Sequence, residues 1–351
     1  MYRLVKTILQ IGFFFFFKNI HSNNRERIPK KGAVLFIGNH PNALLDPLLV
    51  ATQVKRDLHF ITRASVFGNK ILNAFFKSVQ MLPIYRPRDG KENMHLNEKT
   101  FEQCYDILGK QGAVLIFVEG SHDIRKYVRP LKTGFARIAL GALNKHKELE
   151  DIQIVPVGLN YTKPTAIFSQ AQLNFGPSFS VKQCIENSNS ELEQINALRI
   201  KSREALKQLS THIDAEVHDY DRAYQSLLSQ GHKFLEPLFY TEEYEIENLS
   251  EDEAAPELKS NTFSKLLYLL IQILSPIPMF IWRRNKSMVK QEEFVSTFKF
   301  AVMMGSGLIN FIVALILGKY LLGNDYWIYI TGLYLGLFAL TKSPYFHTPD
   351  Q

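Results

Sequence analysis

Five short apolar runs rich in β-branched and aromatic residues punctuate the first half of the chain, at residues 33–37, 58–61, 81–85, 113–118 and 152–159. Between them, residues 93–110 and 134–147 place apolar side chains at helical spacing. Short continuous apolar strands alternating with helices predict an α/β fold with a mostly parallel sheet flanked by helices. Beyond residue 180 the pattern changes. Residues 188–209 form an amphipathic helix with Leu192, Ile195, Leu198, Leu206 and Leu209 as its apolar positions, and residues 223–234 form a second. Residues 241–257, TEEYEIENLSEDEAAPE, read as an acidic linker.

Both ends of the chain are apolar. Residues 300–317 carry no charge and are long enough to cross a bilayer, which takes ~20 residues. Residues 326–340 are shorter and fit the return arm of a hairpin. Residues 263–282 are apolar but interrupted by Pro276 and Pro278, so a re-entrant or interfacial hairpin is expected there. At the N-terminus, TILQIGFFFFF (7–17) is uncharged between Lys6 and Lys18; it is too short to span and long enough to lie in one leaflet. No small-residue cleavage site follows it, which argues against a secretory signal.

Composition sharpens this picture. With 351 residues, 46% of them hydrophobic, the chain holds one large domain plus an appendage. Residues 1–180 contain 25 basic and 13 acidic side chains, residues 181–262 contain 8 and 17, and residues 263–351 contain 8 and 4. The basic first half calls for an anionic partner. No arginine-rich run or zinc-finger spacing directs it to nucleic acid, so the expected partner is a membrane phospholipid surface. Cys104 and Cys184 match no metal spacing and no disulfide framework, and neither a metal nor a cofactor is expected.

Four blocks carry the candidate chemistry. GNHPNALLD (38–46) follows the first strand and holds His40 and Asp46, with Asp46–Pro47 expected to cap a helix. LPIYRPRDG (82–90) places Arg86 and Arg88 just beyond a strand. VLIFVEGSHD (114–123) ends a buried strand in Glu119, Gly120 and Ser121. IVPVGLNY (154–161) is a strand with an interior proline. Three of the four put polar groups at a strand's C-terminal end, where open α/β sheets bind ligands. Each block alone has a bland reading as a turn or a solvated loop; the ordered conjunction does not.

These blocks resemble the glycerophospholipid acyltransferase family (the phospholipid/glycerol acyltransferase domain). Its pattern is Asn-His with an Asp a few residues on, a strand ending in Arg, Phe-Pro-Glu-Gly-Thr-Arg, and a strand carrying Val-Pro. The resemblance covers roughly residues 30–180. Two departures stand out. Five residues rather than the usual four, Pro41 to Leu45, separate His40 from Asp46, a spacing similar to that of fungal-type glycerol-phosphate and dihydroxyacetone-phosphate acyltransferases. The third motif is Phe117-Val118-Glu119-Gly120-Ser121-His122. His122 replaces an arginine, with Arg125 and Lys132 the cations at hand to compensate.

A domain plan follows, in which the resemblance accounts for the second unit and the residue patterns above for the others, the family pattern leaving residues 181–351 unexplained. Residues 1–30 are an interfacial membrane-binding helix, 31–180 the acyltransferase domain, 181–260 an acidic helical extension and linker, and 261–351 a C-terminal membrane region. The resemblance also implies roles. His40 is a general base oriented by Asp46, transferring an acyl chain from acyl-CoA or acyl carrier protein to lysophosphatidic acid, glycerol 3-phosphate or another lysophospholipid acceptor. Arg86, Arg88 and Lys132 meet the acceptor phosphate, and Glu119, Gly120 and Ser121 shape its site, Glu119 through the glycerol hydroxyls or by holding an Arg. Two other classes share the fold: a non-catalytic membrane-anchored lipid-binding protein and a CoA-independent phospholipid transacylase. Arg283, Arg284, Lys286, Lys290 and Lys299 precede the first span. By the positive-inside tendency they place residues 1–299, including the catalytic domain, on the cytoplasmic face, with 300–322 and 326–340 as an out-and-back pair.

Overall fold

A computed structural model describes residues 1–68, 70–86, 90–214, 219–240 and 261–347. Arg88 and the acidic linker at 241–257 lie outside the described residues.

The helices are α1 (Tyr2–Phe16), α2 (Leu45–Gln53), α3 (Lys70–Ser78), α4 (Asn97–Gly109), α5 (Gly134–Lys145), α6 (Val181–Ile185), α7 (Glu191–Lys207), α8 (Tyr220–Ser229), α9 (Thr262–Leu274), α10 (Pro276–Asn285), α11 (Val295–Leu322) and α12 (Tyr326–Thr341). The strands are β1 (Asn19–Asn23), β2 (Ala33–Gly38), β3 (His59–Arg63), β4 (Met81–Ile84), β5 (Ala113–Phe117), β6 (Ile152–Tyr161), β7 (Gln170–Phe175), β8 (Phe179–Ser180), β9 (Thr211–Ile213) and β10 (Leu238–Tyr240).

Eight strands form one sheet in the order β1-β7-β6-β2-β5-β3-β4, with β8 also on β6. The five strands from β6 to β4 run parallel, while β7 and β8 are antiparallel to β6. The expected mostly parallel sheet flanked by helices is therefore present, extended at one edge by antiparallel strands. The centre is β2, whose six residues are all buried. Val34 and Phe36 pack on one face with α1, α2 and Phe300; Ala33, Leu35 and Ile37 pack on the other with α4, α5 and α7. Burial on both faces is why this strand reads as an uninterrupted apolar run.

The sheet begins earlier than the motifs suggest, because β1, within the first thirty residues, pairs with β7. The phenylalanine run before it is divided between two environments. Phe13, Phe16 and Phe17 are buried in the core, whereas Phe14 and Phe15 are exposed beside Leu4, Ile8 and Ile11. The helix thus serves the core with one stripe and leaves a second apolar stripe outward.

In the C-terminal region, α9 and α10 meet at Ser275 with a bend of 94°. Pro278 lacks the N–H that would bond the Leu274 carbonyl, and that oxygen is met instead by Asn310 Nδ2 (2.8 Å) and Tyr334 OH (2.7 Å). Residues 292–322, including all of α11, are long and apolar enough to cross a membrane; α12 is a shorter apolar helix. The chain then returns to α1. Lys342 Nζ donates to the carbonyls of Phe14 and Lys18 (2.8 Å each) and of Phe17, capping that helix end with a cation.

Candidate active site

The parallel strands bring their C-terminal ends to one edge of the sheet. Gly38 of β2 is level with Phe117 of β5 and Val157 of β6, so residues 39–40, 118–121 and 158–161 converge beyond it. Asn39 locks the first junction: its Nδ2 donates to Leu159 O (3.0 Å) and its Oδ1 accepts from Leu159 N (2.7 Å). The next residue is His40, stacked on Phe117 with ring centroids 4.1 Å apart.

His40 Nδ1 lies 2.8 Å from Asp46 Oδ2. The carboxylate is fully buried and takes two further hydrogen bonds, from Asn42 N to Oδ2 (2.7 Å) and from Tyr161 OH to Oδ1 (2.5 Å). A carboxylate only accepts, so Nδ1 is the donor of this pair, and in the neutral imidazole the lone pair is on Nε2. Lys126, also buried, donates from Nζ to Tyr161 O (2.9 Å); burial lowers its pKa to about 8, against the opposing charge of Asp46.

The local helix start differs from the expected one. Residue Leu45 already belongs to α2, its N-cap position is Leu44 with no side-chain cap, and Asp46 lies inside the first turn. The reason is that both Asp46 oxygens are committed to His40, Asn42 and Tyr161. Pro47 remains in the first turn, where a missing N–H breaks no helical bond. The five-residue spacing is accommodated by a turn in which Ala43 has φ 25°.

At the end of β5, Glu119 is 4% exposed and faces Arg129. Arg129 Nη2 (2.7 Å) and Nε (3.2 Å) both donate to Glu119 Oε2, and its backbone N donates to Oε1 (3.2 Å). The same guanidinium donates from Nη1 to Ser121 Oγ (2.6 Å) and from Nη2 to Ser121 O. Burial raises the Glu119 pKa, and Arg129 pulls it back down. Glu119 therefore holds an Arg, one of its two expected roles, and Arg129 is the cation of this junction. Arg125 is turned away in an exposed fork with Asp123 (Nη2–Oδ2 2.7 Å). Gly120 has φ 74°, and a Cβ there would lie 2.9 Å from Lys132 Cγ; the Lys132 side chain is exposed.

His122 sits edge-on to His40 at 5.7 Å and to Phe294 at 4.7 Å. Both its ring nitrogens are buried without a hydrogen-bond partner. Burial and the neighbouring His40 lower its pKa to about 4, so it is a neutral ring at physiological pH. Phe294, just before α11, is also capped by the Arg63 guanidinium at 4.9 Å. The segment leading into α11 thus covers the His40 edge.

Arg86 follows β4 on the same edge, two strands further from β2 than β5 is. Its approach is fixed by Asn97, which bonds the Tyr85 N–H and carbonyl (2.8 Å each). Arg63, at the end of β3, is a cation one strand closer to the dyad. Tyr161, Arg129, Arg63 and Phe294 were not identified as site residues from sequence. Tyr161 closes the fourth block and so lay within a quoted motif; the partnerships of the others are spatial. Among the described residues no cluster of metal-ligating side chains occurs.

Residues 19–160 match the family model described as Acyltransferase. The chain is 33% identical over 82 residues to glycerol-3-phosphate O-acyltransferase 1 of Saccharomyces cerevisiae, covering 23% of this chain and 11% of that protein. It is 36% identical over 80 residues to glycerol-3-phosphate O-acyltransferase 2 of the same yeast, with the same coverage. It spans about a tenth of the length of these curated relatives. A crystal structure of the 1-acyl-sn-glycerophosphate (LPA) acyltransferase PlsC from Thermotoga maritima aligns with a TM-score of 0.41 and 16% identity, over 58% of this chain and 79% of that one. The family match spans the His40–Asp46 junction and the Glu119 junction, and together with the two yeast relatives it supports the glycerophospholipid acyltransferase family for residues 19–160.

Proposed function

We propose that this protein transfers a fatty acyl group from an acyl thioester, acyl-CoA or acyl carrier protein, to a hydroxyl of a glycerol-phosphate-type acceptor at a membrane surface. The observation that carries this reading is the His40 Nδ1–Asp46 Oδ2 contact of 2.8 Å, with Asp46 held by two other donors. No protein nucleophile is needed, because the acceptor hydroxyl attacks. His40 Nε2 takes the hydroxyl proton as oxygen bonds to the thioester carbonyl carbon. The tetrahedral adduct then expels the thiolate, which receives the proton back from the imidazolium. Asp46 fixes the tautomer and stabilises the imidazolium, as the carboxylate does in serine hydrolases. General-base action of this kind contributes about 10²–10⁴ in rate.

The acceptor phosphate calls for guanidinium groups in fork geometry, and Arg86 is the residue assigned to it, with Arg63 on the path between. Membrane association follows from the apolar length of α11 and the outward apolar stripe of α1, with the catalytic domain on the cytoplasmic face. The test is acyl transfer by the purified full chain, with acyl-CoA and acyl carrier protein as donors. Glycerol 3-phosphate, lysophosphatidic acid and other lysolipids serve as acceptors. Turnover with a phosphorylated acceptor is expected; transfer only between phospholipids without either thioester would overturn the reading.

A further inference from the structure

A second cavity lies away from the dyad, in the angle between the bent α9–α10 pair and α11. It has a volume of about 460 Å³, within the range of small-molecule sites. Its lining combines two chemistries. Met279, Met303 and Trp282 are apolar, while Arg283, Lys286 and Lys299 are cations, and no carboxylate lines it. Lys299 is fixed in the wall, its Nζ donating to Thr165 O (3.0 Å) and lying 5.1 Å from the Trp282 ring centroid. Among the described residues, the Arg283 and Lys286 side chains make no hydrogen bond or ion pair.

We propose that this cavity binds a membrane lipid with an anionic phosphate headgroup, the phosphate on Arg283 and Lys286 and the acyl chain along Met279, Met303 and Trp282. An all-cationic rim without a counter-carboxylate selects an anion, and the apolar wall selects an amphiphile over a free ion. The cavity also abuts the dyad's support. Ile167, in the loop between β6 and β7, lines it. In the same loop Pro164 O accepts from both Ser296 Oγ and Asn42 Nδ2, and Asn42 N in turn bonds Asp46. The lipid therefore occupies the membrane side of the loop that Asn42 leans on. The inference rests on the membrane reading of α11 and not on acyl-transfer chemistry, so its test reads binding alone.

The chain contains two tryptophans, Trp282 and Trp327. Trp327→Phe leaves Trp282 as a reporter inside the cavity. The full-length variant is reconstituted into phosphatidylcholine vesicles containing either phosphatidate or phosphatidylcholine brominated on the acyl chains, a short-range quencher. Brominated phosphatidate should quench Trp282 at about 25-fold lower mole fraction, a factor of about five for each of two cations. Adding Arg283→Gln and Lys286→Gln should remove most of that preference, while the charge-retaining Arg283→Lys/Lys286→Arg pair should keep it. Equal quenching by the two lipids in the parent would overturn the proposal whether or not the double variant folds. Reversal of quenching by millimolar inorganic phosphate would overturn the lipid as the ligand.

Discussion

Arg129→Met isolates the buried Glu119 pair. The substitution keeps an unbranched apolar stem of similar reach to the arginine Cβ–Cδ chain but removes both guanidinium donors to Glu119 Oε2 and the one to Ser121 Oγ. Glu119 is then a buried carboxylate whose side-chain partner is gone, a change that costs about 3–5 kcal/mol. At about 2–4 °C per kcal/mol for a domain of this size, the thermal midpoint should fall by roughly 6–20 °C at neutral pH. The pH dependence identifies the cause. Burial already raises the folded-state pKa of Glu119 against the pull of Arg129, and without Arg129 it rises further. A carboxyl whose folded pKa exceeds its unfolded value of about 4.3 loses stability as pH climbs from that value through the folded one. The deficit of Arg129→Met relative to the parent should therefore be smallest near pH 4. It should grow by up to about 1.4 kcal/mol per pH unit above that. The assay is thermal unfolding of the full chain in neutral detergent across pH 4.5–8, together with the Glu119→Gln/Arg129→Met double variant. Replacing the charge by a neutral amide should recover most of the loss. A deficit constant with pH, or a double variant as unstable as Arg129→Met, would refute the reasoning.

Three further outcomes follow from the geometry. Tyr161→Phe removes one donor to buried Asp46; losing a hydrogen bond to a charged group costs about 1.5–3 kcal/mol, and kcat should fall with KM nearly unchanged. Arg86→Lys keeps the charge but loses the fork, so KM for a phosphorylated acceptor should rise markedly; an unchanged KM would move phosphate recognition to Arg63. A single cysteine at Ser287 should resist an impermeant thiol reagent added outside intact cells while one at Asn324 reacts; labelling at Ser287 would reverse the orientation.

What the sequence made legible tracks how each element is buried. The strands β2, β5 and β6 lie at the centre of the sheet and read as apolar runs. The strand β1, NIHSN, sits at the edge and pairs Asn23 with Asn174 through their side chains (2.9 Å), so no hydrophobic alternation marks it. The three-residue strands β9 and β10 are too short to carry a period. The second amphipathic helix is displaced to Tyr220–Ser229 because Asp219 caps it through Arg222 N (3.3 Å) and Gly231, at φ 79°, follows its end. At the site, His40 and Asp46 are six residues apart and legible as a motif. Tyr161 reaches Asp46 across 115 positions, and Phe294 reaches the site from the start of α11. Such meetings depend on the fold and leave no local spacing to find.

The most direct measurement of the central claim is the turnover of His40→Ala in acyl transfer from a thioester to a phosphorylated glycerol acceptor, with the thermal midpoint and membrane association measured alongside. His40 is partly exposed and contacts Asp46 through one hydrogen bond, so fold and membrane association should persist. Turnover should fall by about 10²–10⁴. Turnover close to that of the parent in a folded His40→Ala protein would contradict a histidine base at this junction.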